Sequence, residues 1–271
     1  MATIKFGTSG WREIIARDFT FENVRLAIQG IADYLKSELA RASSPIHGRA
    51  PVVILGHDTR FLGPEFSLAA AEILAANGIE PQLCDRDTPT PVIAHTIRQR
   101  QAIGGINMTA SHNPAEYQGL KFSTYNGAPA TPEVTKQIEE NIVRLQAQNW
   151  SFKGVPFGAF KAKTINPLPD YYKQIKKLIK FSVIKKAKLK VAVDLCYGTG
   201  HGYLDVLLSQ AGAKTTLFHN ELNPLFGGHH PEPNSANMAA VSKFVRSGKA
   251  QIGLGLDGDA DRFGIVDKDG T

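Results

Sequence analysis

Hydrophobic residues along the first half of the chain follow two different spacings. After Thr20, a residue type that often caps helices, apolar side chains recur every three or four positions and predict a helix. Those positions are Val24, Ala27, Ile28, Ile31, Leu35 and Leu39. Short apolar runs predict strands near 52–55, 79–84, 103–107 and 120–124, and helices are expected near 64–78, 91–100 and 132–147. This alternation is typical of a layered α/β domain.

The same alternation begins again after a stretch without a clear period, between Trp150 and Pro169. Helices are predicted near 169–180, 203–211 and 236–247, and strands near 189–195, 214–219, 251–256 and 263–267. We therefore predict an α/β protein with two successive three-layer α/β/α domains, whose sheets are mixed and mainly parallel. The predicted domains are residues 1–164 and 165–271.

The composition is that of an ordinary globular protein. Hydrophobic residues make up 42% of the 271 positions and charged residues 21%, which argues against disorder. No apolar run reaches the ~18 residues of a membrane span, and the first residues lack the pattern of a signal peptide. Cys84 and Cys196 are the two cysteines and are expected to be buried thiols. These observations favour a cytoplasmic protein.

The positive charge of the chain is concentrated in residues 173–190, which contain eight lysines and no acidic residue. Ile175, Leu178 and Ile179 have helical spacing there, which predicts a helix with a solvated lysine face. A basic interaction domain that binds nucleic acid is the alternative, although no nucleic-acid reading motif accompanies the lysines. A second alternative is a dinucleotide-binding module built on Gly198–Gly202, whose Gly-x-Gly-x-Gly spacing differs from the dinucleotide fingerprint. Titrations with NAD and with duplex nucleic acid would separate these alternatives.

Three acidic residues follow the predicted strand 251–256 at alternate positions: Asp257, Asp259 and Asp261. Carboxylates this close repel one another, and a hard cation such as Mg²⁺ removes the repulsion. A calcium-binding EF-hand loop is rejected because it needs Gly at position six and Glu at position twelve, where this chain has Arg262 and Lys268. A magnesium site at the end of a buried strand is therefore predicted.

Ser111 lies in a loop, because Pro114 disfavours helix at the preceding residue. It lacks the Gly-x-Ser-x-Gly setting of a hydrolase nucleophile. A phosphorylated serine beside Mg²⁺ needs only positioning and neutralising charges. The chain offers four cationic side chains for this purpose: Arg12, His112, Lys121 and Arg262. Asp58 and Arg60 follow another strand and are candidates to support the site from outside.

Four ordered motifs resemble those of the α-D-phosphohexomutases, and most closely the bacterial phosphoglucomutase/phosphomannomutase enzymes. Thr109–Pro114 resembles the family's phosphoserine loop and Asp257–Arg262 its metal loop. Gly7–Arg12 is similar to the N-terminal loop, and Gly119–Phe122 to the strand that carries a lysine. The four motifs extend over almost the whole chain.

The resemblance implies a role for each candidate residue. Ser111 would be the phosphorylated residue, and its phosphate oxygen would join Asp257, Asp259 and Asp261 around one Mg²⁺ ion. Arg262 would neutralise charge beside the metal. The remaining cations, implied to transfer protons and contact phosphate, are Arg12, His112 and Lys121.

The implied reaction moves a phosphoryl group between the 1- and 6-positions of a hexose phosphate, with a hexose bisphosphate as intermediate and activator. The partner would be the hexose phosphate, not nucleic acid or a membrane, and phosphoglucosamine mutase is the alternative within the family. Family enzymes have four domains, and the sequence stops where the third should begin. We therefore expect a fragment that lacks the sugar-selecting C-terminal domains and has negligible turnover by itself.

Overall fold

The computed structural model of the protein describes residues 3–7, 10–152 and 160–271, which form two mixed sheets with helices packed against them. The strands of the first sheet are β1 (Trp11–Ile14), β2 (Val52–His57), β3 (Glu80–Cys84), β4 (Gly104–Met108), β5 (Tyr117–Thr124) and β6 (Lys163–Ile165). They lie in the order β1-β5-β4-β2-β3-β6. Strands β4, β2, β3 and β6 are parallel, while β5 and β1 are antiparallel to their neighbours.

Helices cover both faces of this sheet, because side chains of its central strand alternate between two cores. Val53 and Leu55 pack into the larger core, and Ile54 packs on the opposite face with residues of α3. The helices of the larger core are α1 (Phe21–Ala40), α2 (Gly63–Ala76) and α4 (Pro132–Ala147), and the helix opposite is α3 (Thr90–Gln99). Thr20 caps α1 as predicted, since its side chain accepts a hydrogen bond from the Asn23 amide.

The second sheet has the order β10-β9-β7-β8, with β10 antiparallel to β9 and the other pairs parallel. Its strands are β7 (Lys190–Asp194), β8 (Lys214–Phe218), β9 (Ile252–Leu256) and β10 (Phe263–Val266). The helices of this half are α5 (Leu168–Leu178), α6 (Phe181–Ala187), α7 (Leu204–Gln210) and α8 (Ala239–Arg246), with a 3₁₀ turn at Phe226–Gly228. Apolar residues of α8 pack on one face of β7, and those of α6 and α7 on the other. The predicted α/β class with mixed, mainly parallel sheets is confirmed.

Several elements differ from the sequence prediction. Strands β1 and β6 and helix α6 were not predicted, and part of the segment expected to be irregular, 153–159, lies outside the described residues. Strand β6 pairs with β3, so the first sheet extends to Ile165, next to the predicted domain division. The helix predicted at 169–180 ends at Leu178.

The apolar face that the sequence predicts for this helix is only partly buried. Leu178 and Ile179 are 66% and 46% exposed, because the helix ends there and the chain turns into α6.

Among the described residues, no helix is long and apolar enough to cross a bilayer.

Candidate active site

Ser111 lies in the connection between β4 and β5, at the edge of the first sheet that faces the second. The backbone of Ser111 has φ 53°, in the left-handed region that a non-glycine residue adopts only when its surroundings hold it there. The Ser111 amide donates a hydrogen bond to Thr109 Oγ1 at 2.9 Å, and Ser111 is 2% exposed. The loop therefore holds its serine in one fixed orientation.

The buried guanidinium of Arg60 holds the serine loop, residues 109–114, in place. It donates to four backbone carbonyl oxygens of the loop and its exit: those of Ser111, Asn113, Pro114 and Tyr117, at 2.8, 2.6, 2.6 and 3.0 Å. Asp58 pairs with Arg60 at 3.1 Å and also accepts from Thr109 Oγ1 at 2.6 Å. Burial raises the pKa of Asp58, and the Arg60 charge acts against that rise. Asp58 and Arg60 thus support the serine loop without facing the site.

The acidic loop, residues 257–262, follows β9 of the second sheet. Its three aspartates, Asp257, Asp259 and Asp261, each offer one carboxylate oxygen. These three oxygens lie within 4.8 Å of one another. Asp257 Oδ1 accepts from the backbone amides of Asp261 and Arg262, both at 3.0 Å, which closes the loop around this first carboxylate. Asp257 and Asp259 are fully buried, while Asp261 is exposed.

The glycines of Gly198–Gly202 let a second loop pack directly beneath the acidic loop. A Cβ atom on Gly198 would lie 2.7 Å from the Gly258 carbonyl oxygen, and one on Gly200 would lie 2.7 Å from a Leu256 methyl group. The Thr199 amide donates to the Gly258 carbonyl at 3.0 Å. This segment is therefore a tightly packed turn between β7 and α7 that supports the acidic loop, and the packing gives a physical reason for its glycines other than a cofactor.

The serine and acidic loops meet between the two sheets. Ser111 Oγ donates to Asp257 Oδ2 at 3.1 Å, and the Arg262 guanidinium contacts both groups, at 3.3 Å from Ser111 Oγ and 3.1 Å from Asp257 Oδ2. Glu232 fixes the other side of this guanidinium at 2.9 Å. The Ser111 hydroxyl therefore contacts a carboxylate and a cation of the acidic loop, which lies about 150 positions further along the chain.

Lys121 crosses from the first sheet to the acidic loop. It lies opposite Asn107 in the β4–β5 register, and its Nζ contacts Asp259 Oδ2 at 2.6 Å and Asp261 Oδ2 at 2.8 Å. Burial alone would lower the pKa of Lys121, but the two carboxylates outweigh it and the pKa is raised. Lys121 is therefore a fixed positive charge at neutral pH.

The three carboxylates differ in how well their charge is stabilised. Burial, followed by the neighbouring charge of Asp259, raises the pKa of Asp257 to about 6. Burial would also raise the pKa of Asp259, but Lys121 and hydrogen-bond donors overcome this effect and lower it. Asp259 is consequently ionised at the centre of the group.

Arg12 and His112 complete the charged surroundings of the serine. Arg12 lies on β1 opposite Gly119 and donates to Asn113 Oδ1 at 2.9 Å. Burial, together with the charges of Arg262 and Arg12, lowers the pKa of His112 and keeps it neutral. In the predicted loop Gly7–Arg12, Thr8 and Ser9 lie outside the described residues.

The arrangement of oxygen atoms suits a hard divalent cation. Asp259 Oδ1 is buried and has no hydrogen-bond partner among the described residues. Such an atom is costly to bury unless another group completes its contacts. One oxygen from each of Asp257, Asp259 and Asp261 forms an acceptor set of the kind that Mg²⁺ prefers. The three aspartates could therefore hold the metal predicted from the sequence.

Besides Glu232, two polar residues that contact the aspartates or their partners were not predicted from the sequence: Thr90 and Asn107. Thr90 begins α3 and hydrogen bonds to Asp259, and Asn107 on β4 donates to Thr90 Oγ1 at 2.9 Å. Both lie at or near the carboxyl ends of parallel strands, where ligands bind in α/β sheets. That position is the sequence signal that could have indicated them.

Comparison with known proteins gives the same assignment for both halves of the chain. The family model for phosphoglucomutase/phosphomannomutase α/β/α domain I matches residues 3–149, and that for domain II matches residues 169–270. Phosphoglucosamine mutase of Thermoanaerobacter pseudethanolicus is 33% identical over 270 residues, which cover 95% of this chain and 57% of that protein. Human phosphoglucomutase-1 is 30% identical over 298 residues, which cover 98% of this chain and 51% of that protein.

The fold agrees with this assignment. The crystal structure of a phosphoglucomutase/phosphomannomutase family protein from Burkholderia thailandensis matches with a TM-score of 0.82 at 24% identity, over 98% of this chain and 55% of that one. The chain thus spans about half the length of the relatives it matches. With both family models matched in order, the chain belongs to the phosphoglucomutase/phosphomannomutase family of the α-D-phosphohexomutases.

Proposed function

We propose that this chain carries the phosphoserine and metal sites of a phosphohexomutase of the phosphoglucomutase/phosphomannomutase type. Ser111 belongs to a first domain, residues 1–164, and the acidic loop to a second, residues 165–271. The reaction is the magnesium-dependent transfer of a phosphoryl group between the 1- and 6-positions of a hexose phosphate, through a hexose bisphosphate. Membership of the family and the geometry of the two loops support the proposal.

The observation that carries the proposal is the contact between Ser111 Oγ and Asp257 Oδ2 at 3.1 Å, with the Arg262 guanidinium against both. A free hydroxyl gains little from three carboxylates and a ring of cations. A phosphoryl group on that hydroxyl would bring negative oxygens into contact with Arg262 and near Arg12 and Lys121. Such charge-assisted contacts are stronger than those of neutral groups, and phosphoryl transfer depends mainly on positioning and charge neutralisation.

The chemistry assigned to these residues is two transfers in opposite directions. A hydroxyl oxygen of the hexose phosphate attacks the phosphorus on Ser111, the bond from phosphorus to Ser111 Oγ breaks, and the hydroxyl proton passes to a group of the site. The bisphosphate then reorients, Ser111 Oγ attacks its other phosphorus, the bond from that phosphorus to the sugar oxygen breaks, and the sugar oxygen takes the proton back from the site. Arg12, His112 and Lys121 bind phosphate and transfer protons in these steps. Mg²⁺ bound by the aspartates would neutralise charge on the phosphoryl oxygens.

The sugar of the substrate follows from the relatives only as a class. The relatives include a phosphoglucosamine mutase and a phosphoglucomutase, and the matching family models also name phosphomannomutase. Glucose, mannose and glucosamine phosphates are therefore the candidates, and phosphoglucosamine mutase is the alternative assignment. Cys84 and Cys196 are free, buried thiols. They suit a reducing compartment, and a cytoplasmic location is part of the proposal.

Ser111→Ala tests the proposed function directly. The wild-type protein, incubated with glucose 1,6-bisphosphate and MgCl₂, is expected to gain a single phosphoryl group, measured as intact mass. The alanine variant is expected to gain none, because no other described serine lies beside the acidic loop in this way. Ser209→Ala changes an exposed serine of α7 and is the matched control, which should be phosphorylated like the wild type. Phosphorylation of the Ser111→Ala variant, or none of the wild type, would contradict the proposal.

A further inference from the structure

Thr90, in a helix that packs on the first sheet, makes two contacts with Asp259, the central aspartate of the acidic loop. Its backbone amide donates to the Asp259 carbonyl at 2.9 Å, and its hydroxyl donates to Asp259 Oδ2. Thr90 is the first residue of α3, so its amide belongs to the free, partly positive end of that helix. Both contacts join residues that are 169 positions apart in the chain.

The Thr90 hydroxyl lies between Asp259 and the side-chain amide of Asn107, and the two hydrogen bonds can run in only one direction. The Asn107 Nδ2 atom lies 2.9 Å from Thr90 Oγ1. Because an ionised carboxylate can only accept, the single hydroxyl proton of Thr90 must point to Asp259. Thr90 Oγ1 can then only accept from its other neighbour, so the Asn107 amide must donate to it. The three side chains therefore have one consistent arrangement.

This arrangement separates the two oxygens of Asp259. Oδ2 accepts from Thr90 and from Lys121 Nζ at 2.6 Å, so it has two strong donors. Oδ1 is buried and has no partner in the described part of the chain. Rotation of the carboxylate would break both contacts of Oδ2, so the chain presents Oδ1 in a fixed direction.

We infer that Thr90, oriented by Asn107, is a positioning residue that holds Asp259 so that its Oδ1 is presented to Mg²⁺, and that it thereby sets the metal affinity of the acidic loop. The inference rests on the proposed function, because it takes the three aspartates as the metal ligands. Hydrogen-bond partners of metal ligands restrict the orientation of those ligands, and their removal typically lowers metal affinity 10–100-fold. Thr90 and Asn107 belong to the first half of the chain, whereas all three carboxylates belong to the second. The first half thus contributes to the Mg²⁺ affinity of the acidic loop.

Thr90→Val tests this role, since it keeps the shape of the side chain and removes the hydroxyl. We expect its Mg²⁺ affinity, measured by calorimetry with MgCl₂ on the 271-residue chain, to fall about 10–100-fold. Thr90→Ser restores the hydroxyl and should recover most of the affinity. Asn107→Leu should lower the affinity less, because it affects the hydroxyl rather than the carboxylate.

The matched control is Thr96→Val in the same helix. Thr96 is buried like the site residues, but its hydroxyl donates within α3, to the Val92 carbonyl at 2.8 Å. Its Mg²⁺ affinity should equal that of the wild type, and thermal denaturation of every variant without metal identifies any loss of folding. Wild-type affinity in a folded Thr90→Val variant would overturn the inference. The same result follows if Thr90→Ser, folded, binds as weakly as Thr90→Val. Absence of Mg²⁺ binding to the wild type would instead contradict the proposed function.

Discussion

Asp259→Asn is expected to reduce the Mg²⁺ affinity of the chain by more than about 100-fold, beyond the range typical for partners of metal ligands. The substitution keeps the size of the side chain but removes one of three negative charges, at one of the two aspartates that are fully buried. It also replaces one carboxylate oxygen by an NH₂ group, which cannot accept from Thr90 and Lys121 in the position of Oδ2 and cannot bind a cation in the position of Oδ1. Calorimetric titration with MgCl₂ measures the effect.

The control for this substitution is Asp85→Asn, which removes a charge from an exposed aspartate at the end of β3. It changes the net charge of the chain equally, so any loss of affinity that it shows reports only the general electrostatic attraction of cations. We expect that loss to be small. Equal affinities in Asp259→Asn and Asp85→Asn would mean that the acidic loop does not bind the ion.

Arg60→Met is expected to cause the largest loss of stability among these variants. The Arg60 guanidinium is fully buried, donates to four loop carbonyls and stacks on the Phe226 ring at 4.8 Å. Its removal leaves the Asp58 carboxylate buried without its cation, which typically costs about 3–5 kcal/mol. The change in unfolding free energy can be measured by urea denaturation, and loss of Ser111 phosphorylation should accompany it.

A second variant distinguishes the two contributions of Arg60. In Asp58→Asn/Arg60→Met the unpaired charge is gone, but the loop carbonyls still lack their donors. We expect the double variant to recover only part of the lost stability and none of the phosphorylation. Arg98→Met, on the exposed side of α3, is the matched control and should unfold like the wild type. Full recovery in the double variant would show that Arg60 serves Asp58 rather than the serine loop.

Much of the fold was predictable because its central elements have strong local signals. The apolar run that became β2 is buried on both faces of the first sheet, and the spacing after Thr20 is that of a helix with one buried side. The meeting of Ser111 with the acidic loop, 146 positions away, was expected from the resemblance to the phosphohexomutases rather than from a local pattern. For β2 and α1 the information lies in the residues of the element itself and in their immediate neighbours.

The unpredicted features depend on contacts between distant residues. Strand β1 forms because Arg12 and its neighbours pair with β5, about a hundred positions away, and β6 has only three residues. The role of Thr90 likewise follows from a partner in another loop, which leaves no periodic signal in the sequence. Leu178 and Ile179 show the converse, since helical spacing alone does not ensure burial.

The meeting of the two loops between the sheets also affects how cooperatively the protein unfolds. Around the site, the sheets are joined by ion pairs and hydrogen bonds, of which Lys121 to Asp259 and Arg262 to Ser111 are examples. A cation bound there is held most tightly when both halves are native, and it stabilises that state by about 2.7 kcal/mol at a cation concentration of 100 times Kd. Binding of a cation therefore makes the two halves unfold more cooperatively. Without the cation, or when salt screens the ion pairs, they unfold more independently.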